Sequence, residues 1–286
     1  MIDATSSDWS PADNPHAIAI SEGQWWQRAV KLTVLRLQDP DDQRISWFSS
    51  RQIDARQLIF ALRQLLNAER LMDLALEAHG VDTAVRDALA KARQKFEDAL
   101  PGVKHMRDAL MHFDEWSRGT GKFGPQRERR AAGQTLRDVA REYWGFGYDP
   151  SAGTVSLGPY TIRIDIADQA AAELSWAIYM AAREVDKKKA AELLARTIDI
   201  LTSGGVSCAS SEEAQVKVRL RDDSRVWLSL ATAGTDEPER RELSQRIVSV
   251  LASAGLNLVS TMQAENLEAA ERLVRAETLY VEPGTS

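Results

Sequence analysis

The chain has 286 residues, 44% hydrophobic and 27% charged, a globular composition that excludes a largely disordered protein. This length suits two domains better than one small domain. The formal net charge of −6 argues against a general nucleic-acid coat, because phosphate affinity normally comes from many lysines and arginines.

Signals for export and for membrane insertion are missing from the sequence. No apolar run approaches the roughly 20 residues that a membrane span needs. Residues 1–14 contain three aspartates and no lysine or arginine, so this segment is not predicted to be a secretory signal. The single cysteine, Cys208, excludes an internal disulfide, a cysteine zinc cluster and an iron–sulfur site. We therefore expect a cytoplasmic protein without a metal, a cofactor or a membrane partner.

The first two thirds of the chain are predicted to be mainly helical. Residues 1–20 are polar and contain prolines, which favours a flexible terminus, and residues 21–190 are predicted to form the bundle. Capping boxes at Ser21 and Ser49, an aspartate cap at Asp82, and terminal glycines and prolines delimit the helices. The first four are expected at about residues 21–39, 49–78, 82–100 and 102–117.

Short strands are predicted to interrupt the bundle before its last helix. Turn residues and alternating apolar positions predict a β-hairpin insertion at about residues 143–165. A helical stretch around 134–142 precedes the insertion, and a helix at 166–185 follows it. The charged run Asp186-Lys187-Lys188-Lys189 is predicted to mark the end of the bundle.

The last third is predicted to be a small α+β domain at residues 191–286. It begins with a helix to about Leu201, and strands at 216–221 and 226–230 then form a hairpin around an Asp-Asp-Ser turn. Asp236 is predicted to cap a helix that stops at Gly255, and a strand follows at 256–262. The fold class is therefore mainly α: an antiparallel helical bundle with a β insertion, followed by an α+β domain.

The predicted helix Gly102–Ser117 carries the most informative side chains. At 100° per residue its core face holds four apolar residues, namely Val103, Met106, Leu110 and Phe113. Asp108 and His112 lie four residues apart on the other side, where the aspartate can bind one ring nitrogen of the histidine and fix its tautomer. Such a pair is more often a surface hydrogen bond than a catalytic dyad.

The second face of this helix also carries residues that solvated faces seldom carry. His105, Met111 and Trp116 all lie off the predicted core face. This pattern indicates that the face is covered, and a second copy of the chain would place equivalent groups around a two-fold axis. We therefore expect a homodimer with a composite site.

Arg107-Asp108-x-x-x-His112, near the end of a bundle helix, resembles the Arg-[polar]-x(3–5)-His motif of HEPN domains (higher eukaryotes and prokaryotes nucleotide-binding). The following segment, His112–Gly121, is also similar to HEPN-containing bacterial proteins. The resemblance covers roughly residues 21–190. One related subgroup carries a tyrosine two residues after the histidine, where this chain has Asp114, so it departs from that subgroup.

The resemblance implies an HEPN-like bundle that acts as a metal-independent endoribonuclease, often a toxin or a phage-defence effector. It implies that Arg107 and His112 are catalytic, with Asp108 orienting the histidine. RNA is the implied partner, and a cognate inhibitor or partner protein is possible in such systems. Other HEPN proteins are catalytically inactive. The alternative interpretation is therefore that this chain is an inactive binding module whose C-terminal domain contacts a partner or a nucleotide. A helical scaffold without a nucleic-acid role is the third interpretation.

A basic segment follows the motif helix. Between residues 118 and 141 seven basic and two acidic residues give a local charge of +5. We expect RNA phosphates to contact this segment, and a solvated loop is the alternative. The predicted RNA-binding residues are Arg118, Lys122, Arg127, Arg129 and Arg130. Tryptophans 25, 26, 47, 144 and 176 could stack on bases, although core positions are favoured for them.

Overall fold

The computed structural model of the chain describes residues 10–45, 49–122, 124–209, 214–231, 236–261 and 267–284. The chain divides into two compact units, with the division between Val185 and Asp186. The first unit is a helical bundle with a small three-stranded sheet, and the second mixes helices with a five-stranded sheet. The prediction of a mainly helical part followed by an α+β part is confirmed.

Eight helices and three short strands make up the described part of the chain before the second sheet. The helices are α1 (Pro15–Gln38), α2 (Ser50–Ala78), α3 (Thr83–Ala99), α4 (Val103–Met111), α5 (Phe113–Trp116), α6 (Pro125–Ala131), α7 (Leu136–Glu142) and α8 (Ile164–Ser203). The strands are β1 (Gly147–Asp149), β2 (Thr154–Leu157) and β3 (Tyr160–Arg163). The predicted hairpin is therefore a three-stranded antiparallel sheet, because the chain before the turn also pairs with β2.

The core of the bundle is built around α2. Its apolar residues recur at steps of three and four, so they form one stripe that is fully buried, including Leu58, Leu62 and Leu65. This stripe packs in one cluster with Val30 of α1 and Met106 of α4. The burial of Met106 fixes α4 against α2, which positions the motif residues that follow it.

The small sheet anchors the start of α4. Gly102 has φ +81°, and a Cβ atom there would lie 2.0 Å from the ring of Tyr160 on β3. Only glycine adopts this conformation with the ring so close. On β1, the buried hydroxyl of Tyr148 donates a hydrogen bond of 3.0 Å to the carbonyl oxygen of Leu37, which ties the sheet to the end of α1.

The second unit has the strand order β4-β5-β6-β8-β7. Its elements are β4 (Cys208–Ala209), β5 (Val216–Leu220), β6 (Val226–Leu230), α9 (Glu237–Ser253), β7 (Leu256–Val259), α10 (Ala269–Val274) and β8 (Leu279–Pro283). The predicted hairpin is confirmed, with Val218 opposite Leu228. Asp236 caps α9 by accepting the Glu239 backbone N–H at 2.9 Å, and Asp82 caps α3 in the same way.

The predicted start of the first helix is wrong. The first helix begins at Pro15, not Ser21, and Ala19 is fully buried, so residues 15–20 are not a flexible terminus. Proline at the first helical position has φ already set for a helix and lacks an N–H that would be unpaired there anyway. Residues 1–9 lie outside the described part of the chain.

The helix end that was predicted at residues 186–189 is also wrong, because α8 runs through it. This helix continues through residues 186–189, where the sequence was expected to end one helix and begin another. Lysine is a good helix former, and no glycine or proline occurs within α8. A run of charge therefore does not end the helix. In the described ranges, we find no helix long and apolar enough to cross a lipid bilayer.

Candidate functional site

The motif helix ends at His112. Between α4 and α5, His112 adopts φ −118° and ψ 42°, outside the helical region, while its backbone N–H still donates to the carbonyl oxygen of Asp108 at 2.9 Å. Asp114 and Glu115 follow in the first turn of α5, where acidic side chains are favourable. The predicted continuous helix 102–117 is therefore wrong in its last turn.

This break reverses the predicted burial of two aromatic residues. Phe113, expected in the core, is 63% exposed, whereas Trp116, expected on the outer face, is 4% exposed. The Trp116 ring packs edge-on against Tyr143 at 5.9 Å, and its carbonyl oxygen accepts from the buried Gln126 amide. Wheel geometry holds only as far as Met111, which is 51% exposed as expected.

The three motif side chains are arranged differently from the predicted dyad. Asp108 accepts from Nη1 of Arg107 at 2.9 Å, and the imidazole of His112 is exposed and makes no hydrogen bond with any described group. Because His112 leaves the helical conformation, the four-residue spacing no longer aligns its ring with Asp108. The aspartate therefore pairs with the adjacent arginine and not with the histidine.

Arg107 lines a groove between α2 and α4. The cavity has a volume of about 330 Å³ and is lined by Arg56, Gln57, Phe60, Arg107, Leu110 and Met111. Only 29% of the Arg107 side chain is exposed, and its Nε is buried without a hydrogen-bond partner in the described chain. We call this cavity the α2–α4 groove. It can accommodate a group that accepts hydrogen bonds from a guanidinium.

Arg56 of α2 lines this groove and Arg63 of α2 interacts electrostatically with Arg107, and sequence analysis missed both. The guanidinium of Arg56 stacks over the Phe146 ring, with Cζ 5.1 Å from the ring centre. Burial lowers the pKa of the Arg63 guanidinium, and the positive charge of Arg107 lowers it further. Their spacing along the sequence could have identified them. Phe60 lies four residues after Arg56 and three before Arg63, which places all three on one side of α2.

Most of the predicted RNA-binding residues are held by their own segment. Three of the five form ion pairs with nearby acids, and the pairs are Arg118–Asp114 at 3.8 Å, Lys122–Glu115 at 3.1 Å and Arg129–Glu142 at 2.6 Å. These pairs neutralise a large part of the local charge that the sequence shows. The structure therefore does not present them as one open basic surface.

The remaining two predicted contacts differ from each other. Arg130 donates to the carbonyl oxygens of Gly119 and Gly121 at 2.6 and 2.7 Å, so it holds the loop after α5 in place. Arg127 is exposed and makes no ion pair with any described residue. The charge of Arg127 is therefore accessible and not neutralised by any acid in the described ranges.

Of the described tryptophans that were predicted to lie in the core, Trp26 packs against it, and the other three do not. Trp25, Trp144 and Trp176 are all more than half exposed. Trp26 packs edge-on against Phe60 at 5.8 Å, which links α1 to the aromatic residue of the α2–α4 groove. Trp47 lies outside the described residues.

Across the described ranges, no group of three or more His, Cys, Asp or Glu side chains is arranged to hold a metal ion. Comparison of the chain with protein-family models, with curated proteins and with solved structures found no match.

Proposed function

We propose that this chain is an HEPN-type, metal-independent endoribonuclease, a toxin or phage-defence effector that acts as a homodimer. Arg107 and His112 carry the reaction, and Asp108 holds Arg107. RNA binds across the two copies, so that each copy contributes one imidazole and one guanidinium to the composite site. Control by a cognate inhibitor or a partner protein is part of the same proposal.

One observation carries this proposal: the exposure of the His112 imidazole at the end of α4. An exposed imidazole without a hydrogen bond to any described residue is free to take a proton from a ligand or give one to it. The flanking side chains Met111 and Phe113 are 51% and 63% exposed. Large apolar side chains around an exposed polar group are typical of an interface, which supports a second copy on this face.

The chemistry needs two imidazoles in opposite protonation states. One takes the proton of the RNA 2′-hydroxyl as the 2′-oxygen forms its bond to phosphorus. The bond from phosphorus to the 5′-oxygen breaks, and the other imidazole, in its protonated form, gives its proton to that oxygen. Arg107 pairs with the non-bridging oxygens and stabilises the charge of the transition state. The products carry a 2′,3′-cyclic phosphate and a 5′-hydroxyl.

The test is cleavage of total RNA by the purified chain in excess EDTA. We expect the wild type to leave 2′,3′-cyclic phosphate ends, and His112→Ala and Arg107→Ala to lose at least a hundredfold in rate. Arg246→Ala is the matched arginine control, since its exposed pair with Glu242 at 3.6 Å lies in the second unit. It should cleave at the wild-type rate.

Two results would contradict the ribonuclease proposal. Equal decay in the wild type and both site variants would identify a contaminating nuclease. No decay at any protein concentration that sustains a dimer would favour the inactive module. Light scattering at micromolar concentration tests the dimer separately, because a strict monomer has no composite site.

The second candidate function is a catalytically inactive HEPN-type binding module. The observation that favours it is the internal pairing of Arg118, Lys122 and Arg129 with acidic side chains. Under this alternative the bundle dimerises, and the C-terminal α+β unit contacts a partner or a nucleotide. RNA binding without cleavage, with equal stability of the bound RNA in wild type and His112→Ala, would decide for it.

A further inference from the structure

We propose that the α2–α4 groove binds one nucleotide of the RNA strand, with Arg56 and Arg107 on its phosphate and Phe60 against its base. This inference rests on the proposed function in taking RNA as the ligand. It adds a second phosphate-binding residue, Arg56, from a helix that the Arg-His motif does not include.

The first support is uncompensated positive charge at the groove. Arg56 and Arg107 line it, and Arg63 is close enough to Arg107 to interact with it electrostatically. Asp108 is the only acid in the described chain that hydrogen-bonds to any of the three. The Arg63 guanidinium donates to the neutral amide oxygen of Asn67 at 3.0 Å. Three cations around one carboxylate favour an anionic ligand.

The other nearby acid does not neutralise this charge. Glu97 acts electrostatically on Arg63, but its carboxylate is already shared by Arg93 at 3.1 Å and Lys104 at 2.7 Å. Two cations around one acid leave no negative charge in excess. The excess at the groove is therefore positive, and it lies where α2 and α4 pack together.

The second support is the geometry of the two groove arginines. The Arg56 guanidinium lies over the Phe146 ring and makes no hydrogen bond or ion pair with a described residue, so its N–H groups remain able to donate. Arg107 uses Nη1 for Asp108, and its Nε has no hydrogen-bond partner within the described residues. Planar guanidinium groups bind phosphate oxygens through two parallel hydrogen bonds.

The third support is the apolar part of the same groove. Phe60 is half-buried and is held edge-on by Trp26, while Leu110 and the exposed Met111 provide the opposite lining. A volume of about 330 Å³ falls at the lower end of small-molecule sites, which span about 300–1,000 Å³. Cations beside an aromatic ring are typical of single-stranded nucleic-acid sites, where the base stacks and the phosphate pairs.

The experiment measures binding separately from cleavage. The probe is a fluorescein-labelled 12-nucleotide 2′-O-methyl oligouridylate, which has no free 2′-hydroxyl and cannot be cleaved by the proposed reaction. Fluorescence anisotropy is recorded at several salt concentrations for the wild type, Arg56→Ala and Arg56→Lys. Arg70→Ala is the matched control, because Arg70 is an exposed arginine of the same helix, about 21 Å along it from Arg56.

We expect Arg56→Ala to bind about tenfold more weakly at low salt, with Arg56→Lys intermediate and Arg70→Ala unchanged. The slope of log K against log salt should fall in magnitude by about 0.7 in Arg56→Ala, as expected when one phosphate contact to a single strand is lost. Circular dichroism checks that each variant keeps the helical signal of the wild type.

The two proposals can fail independently. If the wild type cleaves RNA but Arg56→Ala binds the probe with wild-type affinity and slope, the groove inference is overturned and the ribonuclease stands. If Arg56→Ala loses affinity and slope as expected but nothing cleaves RNA, the groove inference stands and the ribonuclease fails. A wild type that does not bind the probe at low salt also overturns the inference.

Discussion

Glu69 gives the sharpest test of the bundle's electrostatics. Only 3% of its side chain is exposed on α2, its Oε2 atom has no hydrogen-bond partner among the described residues, and its nearest cation, Nη1 of Arg93, lies 3.7 Å away. Burial raises the pKa of Glu69 from an ordinary 4.5 to about 7, and Arg93 opposes the rise only in part. The charged form of this side chain therefore destabilises the fold.

The size of the effect follows from this pKa. The folded bundle holds the Glu69 proton up to about pH 7, whereas the unfolded chain releases it near pH 4.5, so this contribution to stability is largest in acid and is lost as the pH rises. Each unit of pKa is worth about 1.36 kcal/mol. Between pH 5 and pH 8 the loss is about 2.5 kcal/mol.

The assay is urea denaturation at pH 5, 6, 7 and 8, followed by far-UV circular dichroism. Because glutamine carries no charge, Glu69→Gln should gain about 2.5 kcal/mol relative to the wild type between pH 5 and pH 8. Glu77→Gln is the matched control on the same helix, since its exposed pair with Arg86 is worth little. A difference between Glu69→Gln and wild type that stays constant over this range would refute the reasoning.

Three further substitutions test the contacts that position the site, each by its thermal denaturation midpoint. Gly102→Ala should destabilise the bundle by more than about 2 kcal/mol, because a Cβ atom at φ +81° meets the Tyr160 ring; an unchanged midpoint would contradict this. Gln126→Ala should cost about 2 kcal/mol, since it leaves the buried backbone N–H of Gly121 without a partner, while the carbonyl oxygen of Trp116 keeps the Gly119 N–H. Tyr148→Phe removes one hydrogen bond to the carbonyl oxygen of Leu37 and should cost about 1 kcal/mol.

The features that sequence analysis predicted correctly depend on neighbours along the chain. The cap of Asp82 lies two residues from the N–H that it accepts, and the hairpin between β5 and β6 needs only alternation and a turn. The stripe of α2 repeats over 29 residues, so its period is clear. In each case the physical cause lies within a few turns of helix or within one hairpin.

The features that it missed depend on tertiary contacts or on a single dihedral angle. The helix ends at His112 and not at Ser117. A helical wheel that continues past His112 therefore predicts Phe113 to be buried and Trp116 to be exposed, which is the reverse of what the structure shows. A periodic sequence pattern cannot predict that Trp116 contacts Tyr143 and Gln126, because these residues come from other elements. For the same reason, the predicted pairing of Asp108 with His112 is wrong, and Asp108 pairs with Arg107 instead.

The location of uncompensated positive charge, on which RNA binding depends, also cannot be predicted from neighbours along the chain. The number of basic residues along the chain indicates a phosphate-binding segment at 118–141. In the folded chain, however, Lys122 pairs with Glu115 and Arg129 pairs with Glu142, and these acids neutralise the two positive charges. The packing of α4 on α2 has the opposite effect, because it brings Arg56 and Arg107, far apart in sequence, to one groove. The location of the proposed phosphate site in this acidic protein therefore follows from helix packing and not from composition.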